Sequence, residues 1–324
     1  MKTNVLNQML SFNKGNNCNS NKHLQTVLTS FSRQVGENDF VVHEGWLTPE
    51  IVKGVLPHLK KYSIRNIYLA SLVDEFSHFC DDNTKYLKKI CNEVVIVGNT
   101  SIDSLYYYSF WLDYAYTYRE NFMSFDATDI HKSMKTYMSL NRKPHRHRFL
   151  LWRKLQDKKL GKHGHLSFSN LQNLKVDVPT TGTVDKDWVI PNDISSLGLP
   201  ENWNTHFLNI VTETNHTDNS NVFFSEKSFK PIIGHRPFMI LGDSGIYSSL
   251  HKLGFDTFDD ILGTGYKSTT LTSKIDWIID VIQSLKKENK VKLYKKILPR
   301  LEENYKVFLK VGNENRKKRD NLCR

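Results

Sequence analysis

Several common signatures are missing from this chain of 324 residues. No apolar run approaches the ~20 residues that a membrane-spanning helix needs, and the first residues do not have the pattern of a secretory signal. The four cysteines form no C-x-x-C pair, so we expect free thiols and a cytoplasmic protein (in the host cytoplasm if the source is viral). Walker, G-x-G-x-x-G and G-x-S-x-G sequences are also missing, which removes three familiar nucleotide-binding and hydrolase signatures.

The chain carries an excess of positive charge. The net charge is +11, with nine Lys or Arg against one acid in residues 142–165 and fourteen against five in 286–324. These two basic zones lie on an otherwise acidic chain. They predict contact with a polyanion such as double-stranded DNA, although lysine-rich helix faces in water are a simpler explanation.

Short apolar runs separated by helical patterns predict α/β structure in the first half of the chain. Strands are expected at 40–43, 64–69 and 94–97. Such alternation is typical of a parallel sheet covered by helices. The aromatic segment 105–118 is a buried helix or strand, and periodicity does not decide which.

The second half repeats this alternation. Strands are expected at 136–141 and 207–214, and the helix at 145–160 is expected to face inward with Phe149, Leu150 and Leu155. Residues 180–205 are expected to form a loop-rich insertion, and the basic tail from residue 313 to be mobile. The length suits two domains, which we assign to residues 1–130 and 131–324.

The most informative stretch begins just before residue 225. Ser225 is a plausible N-cap for a short helix that Pro231 and Gly234 are expected to limit. The apolar run 238–242 then predicts a parallel strand buried on both faces.

The first turn of that short helix carries side chains that suit a nucleotide. Glu226 suits a pair of ribose hydroxyls, while Lys227, Lys230 and the free N–H groups of the helix start suit a diphosphate. The strand, basic turn and helix at 136–160 follow an order that also places an anion at a helix N-terminus.

This ordered run resembles the donor-binding motif of fucosyltransferase-like glycosyltransferases, especially the forms carried by bacteriophages and large viruses. The matching residues are Ser225, Glu226, Lys227, Phe229, Lys230, Pro231, Pro237, Phe238 and Gly242, then 253–255 and 257–258. The Asn-Arg at 141–142, before a basic turn, is similar to the start of that family's C-terminal domain. The resemblance covers roughly 136–260, and the family's N-terminal acceptor motifs are absent from this chain.

The resemblance implies an α/β fold of two Rossmann-like domains facing a cleft (GT-B-like), an N-terminal acceptor-side domain and a C-terminal donor domain. It implies transfer of a sugar from a nucleotide sugar to a hydroxyl, with no cofactor and no obligatory metal. The donor-binding residues that it implies are Asn141, Arg142, Arg148, Thr212, Glu213, Ser225, Glu226, Lys227 and Lys230. Asp185 and Asp187 have the spacing of a metal-binding acid pair, but no apolar strand precedes them.

A transfer with inversion also needs a base that deprotonates the acceptor hydroxyl. Glu44, which follows the predicted strand at 40–43, fits this role best, and Asp74 is second. Each is also explained as a solvated loop acid.

For the acceptor, the basic zones favour DNA that carries a hydroxymethylated pyrimidine, with the base flipped into the cleft. A glycan or lipid-linked sugar is the main rival. A protein of another class, a non-catalytic nucleic-acid-binding protein on a transferase scaffold, is the third hypothesis.

Overall fold

The structure is a computed structural model, which divides the chain into two units, Met1–Tyr114 with Gly312–Arg324, and Ala115–Val311. The residues that it describes are 39–43, 66–71, 93–98, 109–122, 126, 128–130, 134–141, 145–168, 197, 200–214, 216 and 224–322.

The first unit contains a three-stranded parallel sheet. Its strands are β1 (Asp39–His43), β2 (Asn66–Ser71) and β3 (Glu93–Gly98), in the order β1-β2-β3. The three predicted strands are therefore confirmed to within two residues. The aromatic segment, undecided from its sequence, is helical from residue 110 onward, because α1 spans Phe110–Phe122.

The second unit contains a four-stranded parallel sheet in the order β5-β4-β6-β7. Its strands are β4 (Lys135–Asn141), β5 (Gly164–Phe168), β6 (His206–Thr212) and β7 (Phe238–Leu241). All residues of β6 and β7 are buried, as predicted for the run at 238–242. Burial alternates along β5, which is typical of an edge strand with one covered face.

Helices connect and cover these strands. They are α2 (Arg146–Asp157), α3 (Pro200–Asn204), α4 (Glu226–Ile233), α5 (Ile246–Lys252), α6 (Asp259–Leu262), α7 (Leu271–Leu285) and α8 (Lys290–Leu322). The amphipathic α7 begins at the N-cap Thr270, whose hydroxyl accepts from the Ser273 N–H, and buries four isoleucines. Within the described residues, no helix is long and apolar enough to span a bilayer.

The strand order reverses direction at β4. The chain moves from β4 to β5 on one side and then returns to β6 on the other side of β4. Because crossovers between parallel strands are right-handed, the connections that leave β4 and β6 diverge to opposite faces of the sheet. Such a switch point opens a crevice outside the carboxyl ends of the two strands, where α/β proteins bind ligands.

Three details of the sequence prediction are corrected. In α2, Leu155 is buried as expected, but Phe149 and Leu150 are only half-buried, since His147, Arg148, Leu151 and Trp152 form the rest of the inward face. Pro231 does not limit α4; it lies within the helix, which ends at the C-cap Gly234. Trp203 lies in α3 rather than in a loop, is buried, and donates its indole N–H to the Leu197 carbonyl.

The prediction of a mobile tail from residue 313 is wrong, because α8 continues to Leu322. Asn315 explains much of this continuation within the first unit. Its side chain accepts from the Ser109 N–H at 3.0 Å and donates to the Ser109 carbonyl at 2.9 Å, and both residues are buried. The basic composition that suggested a solvated tail also has high helix propensity.

Candidate functional site at the carboxyl edge of the second sheet

The candidate site lies at the carboxyl ends of β4 and β6, on the two sides of the switch point. Asn141 ends β4 and Thr212 ends β6. The Thr212 hydroxyl donates to Asn141 Oδ1, and Asn141 Nδ2 donates to Ser139 Oγ at 3.2 Å. The side chains of Asn141 and Thr212 are buried. The hydrogen bond between them joins the carboxyl ends of β4 and β6, where the crevice opens.

Glu213, directly after β6, connects the sheet to the start of α4. Its side chain is fully buried, and its carboxylate accepts from the Ser225 N–H at 3.1 Å, the Ser225 hydroxyl at 2.5 Å and the Ser228 hydroxyl at 2.6 Å. Bonds to an ionised acceptor are the stronger class of hydrogen bond. Glu213 therefore holds the N-terminus of α4 in place, and both of its oxygens are occupied.

Two side chains of α2 donate hydrogen bonds to the backbone carbonyl of Glu213. His147 Nε2 donates to this oxygen at 2.8 Å, and Arg148 Nη2 donates to it at 2.9 Å and to the Thr212 carbonyl at 3.1 Å. Burial lowers the pKa of Arg148, while the nearby carboxylates of Glu213 and Glu226 raise it. The guanidinium thus balances two acids and fastens α2 to the end of β6.

Three histidine rings stack next to this junction. The centroids of His145 and His147 are 5.9 Å apart, and those of His147 and His216 are 5.7 Å apart. Burial lowers the pKa of His147 to about 4, and the adjacent positive charges act in the same direction. His147 is therefore neutral near pH 7, which suits its use as a hydrogen-bond donor to a carbonyl.

The start of α4 is built as its sequence predicts. The hydroxyl of the N-cap Ser225 accepts from the Lys227 N–H at 3.2 Å, and the Ser225 carbonyl accepts from the Ser228 N–H at 3.2 Å. Two N–H groups that were expected to be free for a phosphate are therefore engaged within the turn. A Cβ at Gly242 would lie 2.6 Å from Cδ1 of Ile246 and 3.1 Å from the Cβ of Glu213, so a larger residue here would displace its neighbours.

Glu226 and Lys227 form an ion pair at the start of α4, and Lys227 is the more exposed of the two. The Glu226 side chain is 5% exposed, and its Oε1 is 3.2 Å from the Nζ of Lys227, whose side chain is 35% exposed. Lys227 Nζ also donates to Ser225 Oγ at 3.3 Å. Lys230, one turn further along α4, is half-buried. The arrangement places the partly exposed lysine side chain of Lys227 beside the buried carboxylate of Glu226.

The structure thus brings together most of the residues that the sequence singled out. Direct hydrogen bonds or ion pairs link Asn141 with Thr212, Arg148 with Glu213, and Ser225 with both Glu213 and Lys227. The predicted residues that lie outside the described part of the chain are Arg142, Glu44, Asp74, Asp185 and Asp187.

Sequence reasoning missed His147, His216 and Ser228. The H-x-H pattern at 145–147 is visible in the sequence, but the carbonyl of Glu213 that His147 binds is 66 residues away. Among the described residues, no group of three or more His, Cys, Asp or Glu could hold a metal ion. Comparisons of the chain with family models, curated proteins and solved structures gave no match.

Proposed function

We propose that the second unit binds a nucleotide sugar at the carboxyl edge of its sheet, and that the chain transfers the sugar to a hydroxyl acceptor. One observation carries this proposal. At the switch point, the buried carboxylate of Glu226 and the half-exposed ammonium of Lys227 start a helix that Glu213 fixes to the end of β6. Ribose hydroxyls and a diphosphate are the ligands that such a pair would recognise together.

In this proposal the cluster divides into groups that touch the donor and groups that position them. Glu226 accepts from two ribose hydroxyls, and Lys227 and Lys230 bind the diphosphate, joined by Arg142. Arg148 and Glu213 act as positioning residues, because Nη2 of Arg148 and both carboxylate oxygens of Glu213 already bind protein groups. The Glu226–Lys227 ion pair opens when the diphosphate takes the lysine.

The chemistry that follows is an in-line displacement at the anomeric carbon. The bond from that carbon to the diphosphate oxygen breaks, and a bond to the acceptor oxygen forms as a base removes the hydroxyl proton. The lysines stabilise the negative charge on the departing diphosphate. Because protein cations meet this charge, the proposal needs no metal. Glu44 and then Asp74 remain our candidates for the base, within a GT-B-like pair of domains.

For the acceptor, we propose DNA that contains a hydroxymethylated pyrimidine. The support is the net charge of +11 and its concentration in the zones 142–165 and 286–324. An extrahelical base would place its hydroxymethyl group within reach of the donor. A glycan or lipid-linked sugar is the rival acceptor.

The test is release of nucleoside diphosphate from UDP-, GDP- and CDP-sugars in the presence of three acceptors: hydroxymethylated duplex DNA, unmodified duplex DNA and a mixture of glycans. We expect one donor to be consumed only with the hydroxymethylated duplex. Glu226→Gln, which removes the charge and keeps the shape, should abolish this turnover. Turnover with glycans alone would replace the acceptor. No turnover, together with DNA binding that survives Glu226→Gln, would favour a non-catalytic nucleic-acid-binding protein.

A further inference from the structure

A cluster of lysines lies at the opposite, amino-terminal edge of the second sheet. We define the lysine patch as Lys158, Lys159, Lys162, Lys286 and Lys287, all of which are exposed. The first three belong to the turn after α2, which leads directly into β5 at Gly164 and therefore lies where the parallel strands begin. The other two follow the end of α7.

The two halves of the patch are more than 100 residues apart in the sequence but belong to one surface. Helices α2 and α7 pack together, and Lys154 Nζ is 2.9 Å from Asp276 Oδ1 across them. His163, which follows Lys162 in the turn after α2, is influenced by lysines of both segments. Its pKa is lowered first by burial and then by the charges of Lys286, Lys162 and Lys290. One segment of each basic zone thus lies on this surface of the second unit.

Lys159 has a backbone conformation that costs stability. Lys159 has φ 55°, in the left-handed region, where a side chain is strained and glycine is favoured. It ends α2 in a Schellman arrangement, with its N–H bonded to the Gln156 carbonyl and the Leu160 N–H bonded to the Leu155 carbonyl. Local backbone stability therefore does not explain the lysine at this position.

The chemistry of the patch distinguishes between the possible polyanions. Among residues 158–163 and 286–290, the one aliphatic side chain, Leu160, is buried, and the exposed ones are lysines, Glu288 and Asn289. Protein interfaces usually have an apolar or aromatic centre, and amphipathic membrane anchors insert apolar side chains. A surface on which exposed lysines outnumber the one exposed acid, with no exposed apolar side chain, suits a row of phosphates.

The patch is also too far from the candidate site to belong to it. The seven residues of β4 separate the two edges of the sheet, and a strand rises by about 3.3 Å per residue, which gives roughly 20 Å. A nucleotide sugar bound beside Glu226 would not reach these lysines.

We propose that the lysine patch binds the phosphate backbone of duplex nucleic acid, as a surface separate from the donor site. Binding there is independent of base sequence and positions the duplex on the second unit. The proposal does not rest on the proposed donor chemistry. Nucleotide binding can fail while duplex binding at the patch holds, and the reverse can also occur.

The test is fluorescence anisotropy with a labelled duplex of about 24 base pairs, measured between about 50 and 200 mM salt. The patch variant is Lys162→Gln, Lys286→Gln and Lys287→Gln combined. The matched control is Lys267→Gln, Lys306→Gln and Lys310→Gln, which removes the same charge from exposed lysines elsewhere. We expect the patch variant to bind more weakly and to lower the log–log salt slope by about 2.7, at about 0.9 per phosphate contact. The control should keep the slope of the unchanged chain.

A single substitution adds a readout that general charge loss would not give. Lys159→Gly should raise the thermal midpoint by relieving the left-handed backbone, while lowering the salt slope by about 0.9. Equal loss in the patch and control variants would mean that net charge alone binds DNA, which overturns the proposal. Patch-dependent binding to phosphatidylserine vesicles without patch-dependent binding to DNA would overturn it as well.

Discussion

Glu213→Gln tests whether Glu213 positions the start of α4 or binds the ligand directly. The carboxylate is fully buried and accepts three hydrogen bonds from Ser225 and Ser228. Glutamine has the same shape, but it replaces one accepting oxygen by an NH₂ group that faces donors. The start of α4 should loosen, and Arg148 should lose a compensating charge.

The expected magnitude follows from these contacts. A hydrogen bond to a charged group contributes about 1.5–3 kcal/mol, and a buried donor left without an acceptor costs about 1–3 kcal/mol. The carboxylate accepts four hydrogen bonds, two on each oxygen, so replacing either oxygen disturbs two of them and gives a loss of about 2–4 kcal/mol in the free energy of unfolding. For a domain of this size, that loss lowers the thermal midpoint by roughly 5–15 °C.

Glu226→Gln is the matched comparison, since it makes the same chemical change in the next acid of the cluster. Glu226 has an ion pair with a lysine that is 35% exposed, and partly exposed pairs are worth under about 1 kcal/mol. We expect its urea midpoint to stay near that of the unchanged chain. Circular dichroism and tryptophan fluorescence in urea would measure both variants.

Nucleotide binding is the second readout for this pair. Glu226→Gln should be stable and unable to bind, whereas Glu213→Gln should be less stable, with affinity returning at low temperature where it is folded. If Glu213→Gln were as stable as the unchanged chain and simply failed to bind, Glu213 would be a donor ligand and the positioning role would be wrong.

Three further predictions concern stability. Because the pKa of His147 is lowered to about 4 from about 6.5 in the unfolded chain, the unfolded state binds more protons between these values. The contribution of His147 to the free energy of unfolding should therefore fall by up to about 3 kcal/mol as the pH drops from 6.5 to 4, and His147→Phe should remove this part of the pH dependence in urea titrations at several pH values. Lys159→Gly should stabilise the fold by about 1 kcal/mol in thermal unfolding, because it relieves φ 55°; unchanged stability would contradict the strain. Asn315→Ala should cost about 2 kcal/mol and increase amide exchange at the end of α8, because it removes both hydrogen bonds to Ser109; exchange equal to that of the unchanged chain would count against the anchored helix.

Local patterns were enough to predict the sheets and the motif helix. Short apolar runs gave six of the described strands to within about two residues, because period and burial leave little choice for such runs. The N-cap role of Ser225 followed from residue type alone, and the structure confirms it.

Contacts between residues far apart in the chain could not be predicted from the sequence. The inward face of α2 was assigned to apolar residues, whereas His147 and Arg148 are buried because the carbonyls of Thr212 and Glu213 receive them. Likewise, the tail after residue 313 was expected to be mobile because it is basic, and its anchor Asn315 pairs with a residue 206 positions away. Neither partner can be inferred from local composition.

Lys227 provides the most direct test of the central claim, a nucleotide site at the start of α4. The measurement is thermal-shift screening of the unchanged chain and of Lys227→Ala against UDP, GDP, CDP and their sugars. A ligand at about 100 times its Kd stabilises the folded state by about 2.7 kcal/mol. The account predicts that one nucleotide raises the midpoint of the unchanged chain and not that of Lys227→Ala. No shift with any nucleotide, or an equal shift in both proteins, would contradict it.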